Sequence, residues 1–407
     1  MLKSLRPYLN IKSAIYFFAL IAGWPCVFYL MGWLPNYQIN YIVLLLFATM
    51  YVLTHGLGPI PNPTYKVLLV QCMGWGIMAI IHVDTSYFTR IFLLLIVFLI
   101  LRIQYTDRQK NRFVKIYNSW LSLQVILGTV GILLVLSGIL KPIYMFREMD
   151  MRMGYFFGLF TTNTYGAGFV RNAGFFDEPG ALAFWGVYAL LLNKLYVKNK
   201  IIEYILIIGL ISTLSLAYFI QLAAYLVVFY RKQAGKLLLI TILLSAAVYY
   251  ITSSNDMMYN AIFGRVEYNT KTGTIEGDNR SDLFSNCWEI FKQNPIIGIG
   301  ARALTSPEVA REYGFVGANF FTNWASDGLL GGIITYIPLI YIYMLGKKNK
   351  VFIGVSIILL LGFLQRPYDN TQLLYPLITY TLLLLEEHNT YKFMHTRNNE
   401  KIRGNLG

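Results

Sequence analysis

Apolar residues fall in long runs separated by short polar or charged segments, near 14–31, 39–54, 67–83, 87–103 and 119–140, then 180–193, 201–217, 218–230 and 236–252, and finally 319–345, 351–365 and 371–385. Many of these runs approach the ~20 residues a helix needs to cross a bilayer, so the pattern predicts an all-α, polytopic transmembrane helix bundle of about 12 spans. The pair 201–217 and 218–230 departs from the rule. It is one apolar stretch broken only at Ser212, Thr213 and Ser215, and its second half is short for a full crossing. The first run reads as a membrane anchor rather than a cleaved leader, because no small-residue cleavage site follows it.

Two polar stretches are too long for simple connections. They cover 141–178 and 251–318 and predict two large loops on one side of the membrane. Structureless loops of this length are uncommon unless they are functional. Inside the second, Asn279 and Asp282 make a helix start, and Leu283, Phe284, Cys287, Ile290 and Phe291 recur at helical spacing up to the stop at Asn294 and Pro295. An interfacial helix near 281–293 is therefore expected, with Trp288 and Phe291 at headgroup level, or else a small cap packed on the bundle. The whole chain, 1–407, reads as one integral membrane domain.

Composition sharpens the class. Of the residues 56% are hydrophobic and only 13% charged, with mean hydropathy +0.52. Soluble domains carry roughly 25% charged residues, which excludes a water-soluble fold. The net charge of +14 does not mark a nucleic-acid binder, because Lys and Arg sit mostly in the segments between runs. Sorting the 34 basic residues puts 22 on the side of the N-terminus and 12 on the side of the long loops, which predicts both termini in the cytoplasm. Cys26, Cys72 and Cys287 have no metal-ligand spacing, and neither a nucleotide loop nor a carboxylate pair suited to a metal is found. The expectation is a reaction without metal or cofactor.

Charge is otherwise avoided, which makes Arg171–Gly180 the most informative stretch. Arg171, Asp177 and Glu178 gather there, and Pro179 and Gly180 open the next apolar run. Proline favours the first helical position and pushes the preceding residue to extended geometry, so Glu178 stands at a helix entrance, pointing off its axis. Glu178 is either a general base or only a cap. Asp177, a better cap residue, has the stronger claim to a structural role.

The first stretch has the form Arg171-x-x-Gly174-x-Phe176-x-Glu178-Pro179-Gly180. A second pairs Arg280 with a helix ending at Asn294, Pro295, Gly298 and Gly300. With the two large loops and the Thr213-x-Ser215 break, the chain resembles the bacterial O-antigen polymerases (Wzy-type) of the O-antigen polymerase and ligase superfamily. The resemblance implies a glycosyltransferase C-like membrane fold acting on undecaprenyl-pyrophosphate-linked oligosaccharide. It places the reaction at the periplasmic face of the bacterial inner membrane, with a flippase and a polysaccharide chain-length regulator as partners. Arginine suits a departing pyrophosphate because its fork binds phosphate oxygens bidentately and stays charged. Arg171 and Arg280 are the leading candidates, Arg265, Arg302 and Arg366 are second-rank, and a lipid-headgroup contact or a salt bridge is the plain alternative for each. Asn319, Asn323 and Asp327 offer hydrogen bonds for sugar hydroxyls, with capping as their plainer role. The related ligases carry a His-Asn pair where this chain has Ala318 and Asn319, and none of its histidines (His55, His82, His388, His395) lies in that loop. This favours polymerase over ligase. A transporter is disfavoured because charge lies in loops rather than at mid-membrane and no repeated halves are evident.

Overall fold

The computed structural model describes residues 10–24, 26–34, 37–56, 62–147, 153–166, 169–233, 268–269, 274–275, 279–314, 316, 319–347, 349–365 and 372–387, with isolated positions between 235 and 253. Among these, six helices are long and apolar enough to cross a bilayer, and the protein is a multi-pass helical membrane protein. The main helices are α1 (Ile11–Ala22), α2 (Tyr37–His55), α3 (Asn62–His82), α4 (Ser86–Tyr105), α5 (Arg112–Leu136), α6 (Pro179–Leu192), α7 (Lys200–Gly209), α8 (Leu216–Phe229), α9 (Asn279–Gln293), α10 (Thr322–Leu345) and α11 (Val351–Gln365). A further helix, α12, covers 374–387. The run near 236–252 is described only at scattered positions.

Most apolar runs became helices within a few residues of their expected bounds. The first run did not become one anchor helix. It stops at Gly23, and after Cys26 only one turn follows, Val27–Leu30. The first long loop is not all-α either. It folds β1 (Tyr144–Arg147), β2 (Met153–Phe156) and β3 (Thr161–Thr162) into an antiparallel sheet, with Tyr144 opposite Phe156 and Phe156 opposite Thr161. A short pair follows, β4 (Tyr165–Gly166) and β5 (Phe169–Val170). Strand pairing satisfies backbone groups that a loop docked on apolar helices would otherwise bury unpaired.

α6 sits at the centre, and every residue from Pro179 to Leu192 is buried. Such an all-round apolar helix is what a bundle core requires. α7 and α8 form a hairpin around the polar break. The Glu203 carboxylate on α7 accepts from Tyr225 (2.6 Å) and Tyr230 (2.5 Å) at the far end of α8, while Tyr218 near the start of α8 donates to the Ile207 carbonyl at 2.5 Å. The arms are therefore antiparallel. From Lys200 to Thr213 the chain runs ten α-helical and four 3-10 residues. That rises roughly 23 Å, less than the ~30 Å hydrocarbon thickness. By length alone that arm falls short of a crossing.

The second broken helix is α10. It is interrupted at Gly328 (φ 64°), and the segment Pro295–Gly300 docks into the break. Leu329 and Leu330 donate their N–H groups to the Pro295 and Ile296 carbonyls at 2.8 and 2.9 Å, while Gly300 donates to Ser326 O at 2.7 Å. A Cβ on Gly298 would stand 2.3 Å from the Ser326 carbonyl oxygen, and one on Gly328 would stand 2.5 Å from Gly298 N. Both glycines also have positive φ. Gly298→Ala is expected to cost more than the ~1–2 kcal/mol of left-handed strain alone, and thermal unfolding in detergent will read it as a melting point lower by several degrees.

Candidate active site

Arg171–Glu178 forms a strap threaded through the bundle. Cys26 bridges antiparallel to Phe176, and Val27 N donates to Phe175 O at 2.8 Å, so the break in the first run is explained by this pairing. Thr161 N and Oγ1 bond Gly174 O at 2.7 and 3.1 Å, and Oγ1 also donates to Phe176 O at 2.6 Å. From α5, Gln124 Oε1 accepts the Phe175 N–H at 2.9 Å. Gly174 takes φ 59°, and an added Cβ would lie 2.6 Å from that same Oε1, so the turn needs glycine.

The strap begins on the hairpin tip. The Arg171 guanidinium donates through Nε to Thr213 O (2.9 Å) and through Nη2 to Leu214 O (3.2 Å), and the residue is 7% exposed. Asn172 adds N–H to Ser212 O at 3.0 Å and Nδ2 to Ser212 Oγ at 3.1 Å. Leu214 itself is left-handed (φ 46°), a conformation costly for a branched residue and held here by these bonds.

The strap ends on α6. Glu178 is its extended N-cap residue (φ −147°, ψ 155°), half-buried, with Pro179 at the first helical position. Asp177 is tied sideways, its Oδ1 accepting from Trp24 Nε1 at 3.4 Å. Beside it lies a narrow cleft lined mainly by Leu20, Trp24, Phe28, Trp120, Phe175 and Phe176, with Gln124 at its wall.

Glu178 and the tip share one depth. Gln221 of α8 and Phe184 of α6 meet at Gly362, where an added Cβ would lie 2.7 and 2.8 Å from them. Both helices descend from there to the Lys194–Glu203–Tyr230 cluster. Six residues back from that level lies Glu178 on α6 and Ser215 on α8, each a helix N-cap. At 1.5 Å per residue both stand about 9 Å above it. One cation, one carboxylate and two helix N-termini thus lie at one level, and helix N-termini favour negative charge.

Other expected site residues lie elsewhere. Asn319 is a tie: its Nδ2 donates to Leu283 O (3.0 Å) and Cys287 Sγ (3.1 Å), and its Oδ1 caps Phe321 N (2.8 Å). With Phe284, Trp288 and Phe291 around the Phe321 ring, it fastens α9 to the start of α10. Arg302 is exposed, and its N–H bonds Asp84 Oδ2 at 3.1 Å. Burial pushes the Asp84 carboxyl up, but the Ser86 hydrogen bonds and the bond and charge from Arg302 outweigh it and hold the group below its usual range. Arg280 lies in the first turn of α9 with its side chain outside the described residues, as are Arg265, Ala318 and Arg366 altogether.

One cluster was not foreseen. Arg90, inside the apolar run 87–103, is buried in α4 and pairs with Asp327 beside the α10 break, Nη1 to Oδ2 at 2.7 Å. Tyr87 donates to the other carboxylate oxygen at 2.7 Å, and the guanidinium lies 4.2 Å from the Trp75 ring centroid. His82 stacks on Tyr87, and its Nε2 must carry the proton, because it meets the Ile297 carbonyl at 2.9 Å. The signal was a lone arginine one turn inside an apolar run.

Residues 202–327 match the family model described as O-antigen ligase. This match supports the O-antigen polymerase and ligase superfamily for that part of the chain. The matched region starts in α7, contains the hairpin tip, α9 and the docking segment, and ends at Asp327. Arg171 lies outside it, yet its guanidinium grips carbonyls inside it. No curated protein sequence matches the chain.

Proposed function

We propose that the protein polymerises lipid-linked oligosaccharide repeat units, moving a growing glycan from undecaprenyl pyrophosphate to the non-reducing end of an incoming unit. The observation that carries this reading is the strap: a buried arginine seated on the tip of the family-matched hairpin, with a carboxylate on a helix N-cap at the same depth. The acceptor hydroxyl attacks the anomeric carbon and a new glycosidic bond forms. The bond from that carbon to the pyrophosphate oxygen breaks, and polyprenyl pyrophosphate leaves with the electron pair. Glu178 takes the acceptor proton, and Arg171 and Arg280 neutralise the leaving group. The aromatic cleft takes the first isoprene units, because Phe175 and Phe176 of the strap form part of its wall.

The reaction belongs at the periplasmic face of the inner membrane, with cytoplasmic termini and with a flippase and a chain-length regulator as partners. Polymerase is favoured over ligase because Ala318 replaces the histidine of the ligases. His82 reaches the same loop in space, but its Nε2 proton is already given to Ile297. Purified protein in proteoliposomes with repeat-unit lipid tests the choice. A ladder of lengths on lipid supports polymerase, single transfer of a preformed chain to a lipid A core acceptor supports ligase, and no glycosidic bond in either assay overturns both.

A further inference from the structure

The two broken helices treat their restarted ends differently. In α10 the first N–H groups after Gly328 are taken by the Pro295 and Ile296 carbonyls. At the hairpin tip the carbonyl side is equally well served: Ser212 and Thr213 hydroxyls return to Gly209 and Leu210 carbonyls at 2.6 and 2.7 Å, and Arg171 covers Thr213 and Leu214. The donor side differs. Ser215 has the extended geometry of an N-cap residue (φ −92°, ψ 120°), yet its hydroxyl makes no capping bond to α8. That Oγ is buried, with the residue 2% exposed and no hydrogen-bond partner for the hydroxyl among the described residues. A buried hydroxyl without a partner costs on the order of 1–3 kcal/mol, so an occupant that bonds it is favoured. The 14-residue α8 adds the positive end of its dipole at the same point.

We infer that Ser215 and the N-terminus of α8, with Arg171 beside them, form a binding subsite for one phosphoryl group of the donor's pyrophosphate. The inference rests on the proposed glycosyl transfer but gives Ser215, so far only part of the helix break, a ligand role beside Arg171. Backbone N–H groups and a hydroxyl hold the oxygens, and Arg171 supplies the charge. Glu178, at the same depth on α6, is left to face the acceptor rather than the leaving group. The subsite therefore separates donor from acceptor along the two parallel helices.

The test uses the full chain in phosphatidylcholine nanodiscs with inorganic pyrophosphate as probe, read by calorimetry and by competition with repeat-unit lipid. Wild-type protein binds pyrophosphate, while Ser215→Ala binds it roughly tenfold more weakly, as loss of a hydrogen bond to a charged group implies. Ser215→Asp decides between subsite and cap. Aspartate is among the preferred N-cap residues, so a purely structural Ser215 keeps or gains thermal stability and keeps binding. A phosphate subsite keeps stability but loses binding at least a hundredfold through like-charge repulsion. Unchanged binding in both Ser215 variants overturns the inference, even if polymer still forms. Displacement of pyrophosphate by added phosphatidylglycerol would assign the site to bilayer headgroups and overturn it as well. Ser215-dependent pyrophosphate binding without any glycosyl transfer would uphold the subsite and sink the proposed function.

Discussion

Glu178→Gln is expected to lower the rate of polymer formation by roughly 10²–10⁴-fold while leaving the protein folded. The substitution keeps size and most hydrogen-bonding capacity but cannot take up a proton at neutral pH. Cap loss alone would cost about 1 kcal/mol of stability and leave turnover nearly intact, and glutamate is not a preferred cap residue in the first place. Pro179 already presets the first turn of α6, and the helix is buried along its whole length, so its fold does not depend on this carboxylate. Rates of glycan transfer with melting temperatures for both proteins separate the two roles. Full activity in Glu178→Gln would remove Glu178 from the chemistry.

Asp327→Ala is expected to destabilise the protein by about 3–5 kcal/mol, because it leaves Arg90 as a buried cation without its carboxylate. The cost should fall on the second loop first. Asp327 flanks Gly328, and the Ala301 N–H rests on the hydroxyl of Tyr87 at 3.2 Å, so the pair holds the docking segment in the α10 break. Arg90→Met with Asp327→Leu removes both charges together, and recovery of much of the lost stability in that double variant is the expected result. Thermal unfolding of the two single variants and the double variant measures it. If the single variants melt like the wild type, the pair is not an anchor.

The long apolar spans were legible because membrane helices announce themselves by length and hydropathy, and α3, α4, α6 and α10 follow that signal. The polar step at Ser212–Ser215 was legible as a break between two expected spans, and the backbone groups freed at such a break must be met inside the protein. What met them was not legible. Arg171 lies 42 residues before Thr213, and no local rule joins the two. The Arg90–Asp327 pair spans 237 residues and escaped for the same reason. The strands between Tyr144 and Val170 were missed because a short, docked loop strand lacks a long period-2 pattern, and the break at Gly23–Cys26 was masked by continuous apolarity. The motif suggested a phosphate ligand at Arg171, and the structure shows its guanidinium as a clamp on two carbonyls at the hairpin tip.

Photocrosslinking with repeat-unit lipid that carries a diazirine on its first isoprene unit tests the central claim most directly, with peptides mapped by mass spectrometry in protein that is actively polymerising. The account predicts crosslinks in the cleft at Leu20–Phe28, Trp120 and Phe175–Phe176, diminished by excess pyrophosphate. Crosslinks confined to other parts of the protein, in the same active preparation, would contradict it.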